Sequence, residues 1–561
     1  VSNNMADSVL PGLGDERRAG DDDSKDIESE LGELGSATRC AEDGDGQCMS
    51  ILHVVQRYWV AGAWIALWVY LAAALFHDWQ GALPPTIVAA LVGLTKVWSA
   101  FCKHSGRDLD TLLVDPLSLC MNQRPRSTKA AAWIVLAGLL TSWVVLIVAE
   151  DWYRLVPAAG LLMLVGLTWF LSAHRRQVWW RPVFWGIGLQ LLFALLIMRT
   201  RTGFLAFQHL GKLVAAFLDF ADEGSKFVFG DQYASFFIAF KVLPVVIFFS
   251  GMVSVAYHAG ILQAIFMRVG WLMQRTLGTA YSESLVAAAN IFIGMTEAPL
   301  LVKPFLVYQT KSEIHALMTS GFATVAGGVM AAYVSFGIPA EHLLAASLMS
   351  CPAALAMAKL SYPETEETSR VEVGMEDMLL DKYRNAFDAM SSGVTTGVLM
   401  VANIAGNLIA FVAAMAFMNS ALTWAGSLVG IEGLTFQLLC SYLLWPIAFM
   451  MGVPAEDCKA VGLLLGEKTI VNEMLAYEHL SQMKAQGTIS ERAEIIATYA
   501  LCGFANFGSI GIQIGGLGAI APSRKSDIAE LALRAMLTGT VACFMTACIA
   551  GMLVENDSRR V

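Results

Sequence analysis

From about residue 58 onward the chain is a succession of apolar stretches close to the roughly 20 residues a helix needs to cross a bilayer. The pattern predicts spans over 58–76, 86–102, 130–149, 155–173 and 182–198. Residues 203–220 instead place Phe204, Phe207, Leu210, Leu213 and Phe217 at helical spacing among polar residues, as expected of a helix lying in the membrane interface. A long span follows over 236–257. Then the pattern changes. Segment 281–310 is apolar but interrupted from Gly294 to Pro299, and each side is too short to cross alone. Two half-length helices meeting at a polar tip predict a re-entrant hairpin, tolerated only where protein or a watery cavity covers the freed backbone. Spans over 313–335 and 340–360, a charged loop 361–390, a span over 394–418 and an apolar helix near 434–452 come next. A second hairpin over 456–482, with Glu473 near its tip, precedes spans over 491–516 and 527–552. The predicted fold is an all-α integral membrane protein of about eleven transmembrane helices and two re-entrant hairpins.

The second half repeats itself. Glu297, Ser312-Glu313-Ile314 and Gly321-Phe322-Ala323-Thr324 are matched by Glu473, Ala493-Glu494-Ile495 and Gly503-Phe504-Ala505-Asn506. The offsets are 176 (473 against 297), 181 (494 against 313) and 182 (503 against 321). A carboxylate at membrane depth costs about 2.5–3.5 kcal/mol on insertion scales and marks a pathway or a site. Paired copies of helix breaks point to a transporter whose site lies between inverted repeats. An isolated intramembrane Glu is as readily a structural partner of a Lys or Arg; the repeat favours a site for Glu297 and Glu473.

Composition supports the membrane assignment: 561 residues are 56% hydrophobic and 15% charged, with mean hydropathy +0.57, against roughly 25% charged in soluble domains. The net charge of −10 reflects acidic runs such as Asp21-Asp22-Asp23, and predicts a disordered acidic tail over 1–50. The first apolar run follows that tail and is expected to be a membrane span rather than a cleaved signal. Loops 103–129 and 174–181 carry Lys103, Arg107, Arg124, Arg126, Lys129, Arg175, Arg176 and Arg181, whereas 77–85 and 150–154 are poor in Lys and Arg. The positive-inside rule then predicts a cytoplasmic N-terminus and, after an odd number of spans, an extracellular C-terminus. Arg199 and Arg201 run against that orientation. Asn556-Asp557-Ser558 fits a glycosylation sequon but hugs the membrane. Ten scattered cysteines, including Cys440, Cys502, Cys543 and Cys548, form no ligand-spaced cluster and are expected to be small buried residues. His258, His315, His342 and His479 lack metal-ligand spacing, and no strand precedes Gly515-Gly516-Leu517-Gly518, so close helix packing is the expected role of those glycines.

Four runs carry a family resemblance: Asn290-Ile291-Phe292-Ile293-Gly294-Met295-Thr296-Glu297-Ala298-Pro299-Leu300, Gly321-Phe322-Ala323-Thr324-Val325-Ala326-Gly327, Ala476-Tyr477-Glu478-His479-Leu480 and the stretch from Ile495 to Asn506. They resemble the concentrative nucleoside transporters over roughly 180–552, and three additional N-terminal spans within 58–149 resemble the eukaryotic branch. The resemblance implies scaffold spans and an interfacial helix over 155–257, a first repeat over 281–360, a scaffold span and extracellular apolar helix over 394–452, and a second repeat over 456–552. It implies that Gly294, Met295, Thr296, Glu297, Val329 and Phe504 meet the nucleobase, and that Glu473, Asn506 and Ser509 hold the ribose. Sodium, the co-transported ion, is implied at Asn290, Thr324 and the backbone carbonyls of Ile293 and Val325. The family further implies a homotrimer in the plasma membrane, whose transport domains move against a scaffold in elevator fashion; the partners are nucleoside, sodium and lipid, with no nucleic acid and no enzymatic activity.

The residue chemistry is compatible with that implication. A carboxylate flanked by amide and hydroxyl groups suits ribose hydroxyls. Amide, hydroxyl and freed carbonyl oxygens at a helix break suit sodium. An aromatic wall with edge hydrogen bonds suits a base. Taken singly, Asn290, Thr324 and Ser509 are more often helix-packing residues than ligands; their place at the breaks favours ligation. Many members have Gln where this chain has Met295, and animal relatives carry Ser or Thr at the position of Gly328. Met is adaptable and polarizable against a larger ring, and Gly-Met at the tip resembles purine-preferring members. Purine nucleosides, with uridine as a candidate, are the expected cargo. Proton coupling through Glu297 or Glu473, broad selectivity, an ion channel, and an intramembrane enzyme acting on a nucleoside lipid remain the alternatives; the enzyme would need a nucleophile or metal beside the carboxylates.

Overall fold

The computed structural model describes residues 152–366 and 383–554. The acidic tail 1–50, the three spans expected within 58–149, most of loop 361–390 and the sequon at Asn556 lie outside the described residues. Among the described residues every element is helical, with no strand, and seven helical segments are long and apolar enough to cross a membrane.

The first group comprises α1 (Leu155–Phe170), α2 (Trp180–Met198), α3 (Arg201–Phe229), α4 (Leu243–His258) entered through a π-helical turn (Phe237–Val242), and α5 (Ile261–Leu277). Thr200 caps α3 by accepting from the Gly203 amide at 3.0 Å, and the helix runs nine residues beyond the amphipathic stretch at 203–220. The search for continuous apolar runs passes over α5. Its buried Leu262, Phe266, Gly270, Met273 and Leu277 recur every three or four residues, while Gln263, Arg268, Gln274 and Arg275 interrupt the run. Gly260 and Gly278, at φ 77° and 79°, bound it, a backbone region in which glycine is at little cost.

The first repeat follows. Hairpin 1 is α6 (Tyr281–Ala289), a tip over 290–297, and a 3-10 helix (Ala298–Tyr308). The span expected over 313–335 is broken in two, α7 (Lys311–Ala323) and α8 (Gly327–Ser335), before α9 (Ala340–Ser361). The span expected over 394–418 belongs to α10 (Ala386–Leu428), 43 residues or about 60 Å long. The apolar helix near 434–452 is two short ones, α11 (Phe436–Leu443) and α12 (Trp445–Met450), parted at Leu444 with Pro446 opening the second. The second repeat copies the first: hairpin 2 is α13 (Cys458–Ile470) and α14 (Glu473–Ala485), the broken helix is α15 (Glu491–Leu501) and α16 (Phe507–Ile520), and α17 (Lys525–Leu553) closes it.

Small residues set the closest approaches. Gly393 and Gly397 of α10 meet α4 where a Cβ would lie 2.5 Å from Ser254 Oγ and 2.9 Å from Ile247 Cα, a small-xxx-small contact of the kind that joins membrane helices. Charged side chains tie down the hairpin bases. Lys359 of α9 reaches Glu283 of α6 at 2.9 Å and Ser312 of α7 at 3.1 Å. In the second repeat Lys484 of α14 pairs with Glu494 of α15 at 2.7 Å, and Arg492 donates to the carbonyls of Gly452, Val554 and Gly551. Cys440, Cys502, Cys543 and Cys548 are buried and free.

Candidate functional site

The two helix breaks cross. The Phe504 amide of the second break donates to the Thr324 carbonyl of the first at 3.2 Å, and the Gly327 amide donates to the Phe292 carbonyl of hairpin 1 at 2.9 Å. The crossing needs Gly503, where a Cβ would stand 2.8 Å from the Phe322 carbonyl oxygen and 2.5 Å from Cys543 Sγ. Backbone groups that an unbroken helix would consume are thus shared between the repeats, in protein rather than lipid.

Around this crossing lies a cavity of about 280 Å³, near the lower end of the roughly 300–1,000 Å³ usual for small-molecule sites. All nine residues expected to meet a nucleoside line it: Gly294, Met295, Thr296, Glu297, Val329, Glu473, Phe504, Asn506 and Ser509. They come from both hairpin tips and both broken helices, which is why no single stretch of sequence displays the site.

Glu473 is the best-anchored group. It opens α14, whose N-terminal turn is capped by Asn472 accepting from the Leu475 amide at 3.0 Å, and the positive end of a helix favours a carboxylate there. Its Oε1 accepts from the Tyr333 hydroxyl at 3.0 Å and its Oε2 from Asn506 Nδ2 at 2.9 Å. Asn506 in turn accepts the Ser509 amide at 2.7 Å, capping α16. One side chain therefore starts a helix and aims the carboxylate. Tyr333 also packs against Tyr477 in a tilted ring pair, centroids 4.3 Å apart. At the other tip, Glu297 is half-buried and its Oε2 accepts from the Gly294 amide at 3.4 Å. Gly516 of α16 leaves room for Thr296, whose Cγ2 would lie 2.8 Å from a Cβ there, so the glycine run does serve close packing.

Of the four residues expected to hold sodium, Asn290 and Ile293 belong to the hairpin 1 tip and Thr324 and Val325 to the break of the next helix. Asn290 Nδ2 donates to Ser320 Oγ at 3.0 Å, and the Thr324 hydroxyl donates to the Ser320 carbonyl at 2.8 Å. Asn290 Oδ1 is buried with no hydrogen-bond partner among the described residues, a costly state for an acceptor that a cation would relieve. Ile293 and Val325 fall in the non-helical tip and break. Hard oxygens of this kind fit sodium.

The wall opposite is built from α10, outside the residues expected to meet the nucleoside. Thr396, Met400, Asn403, Asn407 and Phe411 of α10 face the cavity at helical spacing. Two amides four residues apart in an apolar span were a visible signal; Tyr333, an ordinary aromatic in sequence, gave none.

Comparison with known proteins agrees with this geometry. Residues 159–232, 239–340 and 342–551 match families described as Na+ dependent nucleoside transporter N-terminus, nucleoside recognition, and Na+ dependent nucleoside transporter C-terminus. Solute carrier family 28 member 3 of Rattus norvegicus is 48% identical over 506 residues, covering 88% of this chain and 71% of the rat protein. The chain belongs to the sodium-dependent, concentrative nucleoside transporters. Sodium/nucleoside cotransporter 1 of Mus musculus is 43% identical over 499 residues, covering 86% of this chain and 76% of the mouse protein. Among solved structures, CNTnw in an inward-facing substrate-bound state is similar with TM-score 0.67 and 34% identity, over 72% of this chain and 98% of that one. Variants of that transporter are described in outward-facing and intermediate states. Such relatives are transporters rather than enzymes, and the co-transported ion of a sodium-dependent nucleoside transporter is sodium.

Proposed function

We propose that this transporter imports purine nucleosides, and uridine, by an elevator movement. In this reading it acts as a homotrimer in the plasma membrane, N-terminus cytoplasmic and C-terminus extracellular. The observation that carries the site assignment is the convergence of nine residues from both repeats on one cavity, with Glu473 held by Tyr333 and Asn506. Ribose binds at Glu473, Asn506 and Ser509; the base lies between Phe504, Val329 and the tip from Gly294 to Glu297. Sodium sits on Asn290, Thr324 and the carbonyls of Ile293 and Val325, and by ordering the tip it makes the base site. Met295 lines the cavity at 6% exposure, and its thioether favours the broad purine face over a pyrimidine edge that needs an amide. The movement is supported by the several states described for CNTnw, in which one fold takes inward- and outward-facing forms.

The test is uptake of radiolabelled adenosine and cytidine into liposomes carrying the full chain, in sodium, in choline, and in choline at acidic pH. Adenosine uptake that exceeds cytidine uptake and requires sodium is expected. Uptake that survives in choline and rises with acid would transfer the coupling to protons, and equal uptake of the two nucleosides would remove the purine preference.

A further inference from the structure

A second cavity, of about 440 Å³, adjoins the first and shares Gly294, Glu297, Ala326, Thr396 and Met400 with it. It lies on the far side of the hairpin 1 tip, between α4 and α10. Its polar lining is made of hydroxyls, with Ser250, Ser254 and Tyr257 on α4 and Tyr383, Ser392 and Thr396 before and along α10; among the described residues Glu297 is its one carboxylate and no Lys, Arg or His lines it. Of the four residues assigned to sodium, Ile293 alone lines either cavity, and the cavity it lines is this one. The ion site therefore has no face on the nucleoside cavity in this conformation, but it does have one on the chamber behind the tip.

We propose that this chamber is the access route for the ion, separate from the nucleoside's route. Hydroxyl oxygens can replace part of the water shell of a small hard cation, and a single carboxylate at the inner end draws a cation while leaving an anion or a neutral solute unassisted. The hairpin tip from Gly294 to Glu297 is the partition. It presents Glu297 to both cavities and Ile293 to the chamber alone. Sodium can then exchange while a nucleoside occupies its own cavity, so release of the ion loosens the tip before the cargo leaves. The α4–α10 pair that walls the chamber is close-packed through Gly393 and Gly397, which fixes that wall while the tip moves.

The inference rests on the sodium site proposed above, and the experiment separates the two. The full chain in lipid nanodiscs is loaded with radiolabelled sodium and adenosine and diluted into choline, and the release of each is followed. Ser392→Leu, which adds bulk at an exposed lining position, should slow sodium release about tenfold. Adenosine release in saturating sodium and the sodium midpoint for adenosine binding should stay unchanged. Ser254→Ala, which removes a rung without adding bulk, should slow sodium release in the same direction and serves where the larger side chain prevents folding. Wild-type sodium release from folded variants, or equal slowing of adenosine release in saturating sodium, overturns the chamber as an ion route. Thr324→Ala is measured in parallel and should raise the sodium midpoint for adenosine binding. A raised midpoint with unslowed release condemns the chamber alone, whereas an unchanged midpoint condemns the ion site and the chamber's destination with it.

Discussion

At the scale of single residues, Glu473 concentrates the most consequence in the fewest atoms. Both its oxygens are already spoken for by Tyr333 and Asn506 at 3.0 and 2.9 Å, so a ribose hydroxyl must join a network rather than build one. Glu473→Gln removes the charge and turns one acceptor into a donor; its oxygen can still meet Asn506 Nδ2 and its nitrogen the Tyr333 oxygen, but a ribose hydroxyl loses its charged acceptor. A buried group left unsatisfied costs about 1–3 kcal/mol, so adenosine uptake should fall roughly ten- to hundredfold, measured against surface-labelled protein. Normal uptake by correctly inserted protein would remove Glu473 from the site. Met295→Gln works in the opposite sense. It introduces an amide where the tip meets the base, and a new hydrogen bond is worth about 0.5–1.5 kcal/mol. The ratio of cytidine to adenosine uptake should therefore rise between about two- and tenfold. An unchanged ratio would place selectivity elsewhere, with Val329 the next position to vary.

At the scale of elements, the breaks and hairpin bases decide whether those residues can meet. Gly503→Ala would press a methyl group against the Phe322 carbonyl and Cys543; overpacking of this kind costs about 1–3 kcal/mol. The expected outcome is a lower thermal midpoint in detergent together with weaker adenosine binding, because the same displacement moves Phe504. Lys359→Met would leave Glu283 and its carboxylate buried without a cation, and breaking a buried pair from one side costs about 3–5 kcal/mol; the loss should appear first as a lower midpoint. Much of this layer was legible in sequence, since Glu297, Glu473 and the Gly-Phe-Ala copies mark both tips and both breaks. Apolar length alone gives unbroken spans over 313–335 and 491–516; their interruption was legible only through the repeat and the family resemblance, and the crossing in which the Phe504 amide meets the Thr324 carbonyl left no mark in sequence. Helix α5 stayed hidden for another reason. Its apolar face is one stripe, and a criterion built on unbroken hydrophobic length cannot see a stripe.

At the scale of the whole molecule, the site has two sides with different owners. Hairpin tips and broken helices are bound to one another through the crossing at Thr324 and Phe504, whereas α10 contributes a separate wall joined closely to α4. On the proposed elevator path the first set carries the nucleoside past the second. From Thr396 to Asn407 the polar positions of α10 extend about 16 Å along its axis, and Asn403 and Asn407 face the cavity between them. Amides at successive heights offer a moving, partly dehydrated cargo replacement partners without holding it at one level, so they lower the barrier to passage more than they stabilise the bound state. Replacing both by Leu should therefore reduce the maximal rate of adenosine uptake while leaving the equilibrium dissociation constant in saturating sodium close to that of the unaltered protein. Scintillation proximity binding and initial-rate uptake on the same preparation separate these quantities. A loss of affinity in proportion to the loss of rate would mean that α10 belongs to the binding site itself and does not act as a track beside it.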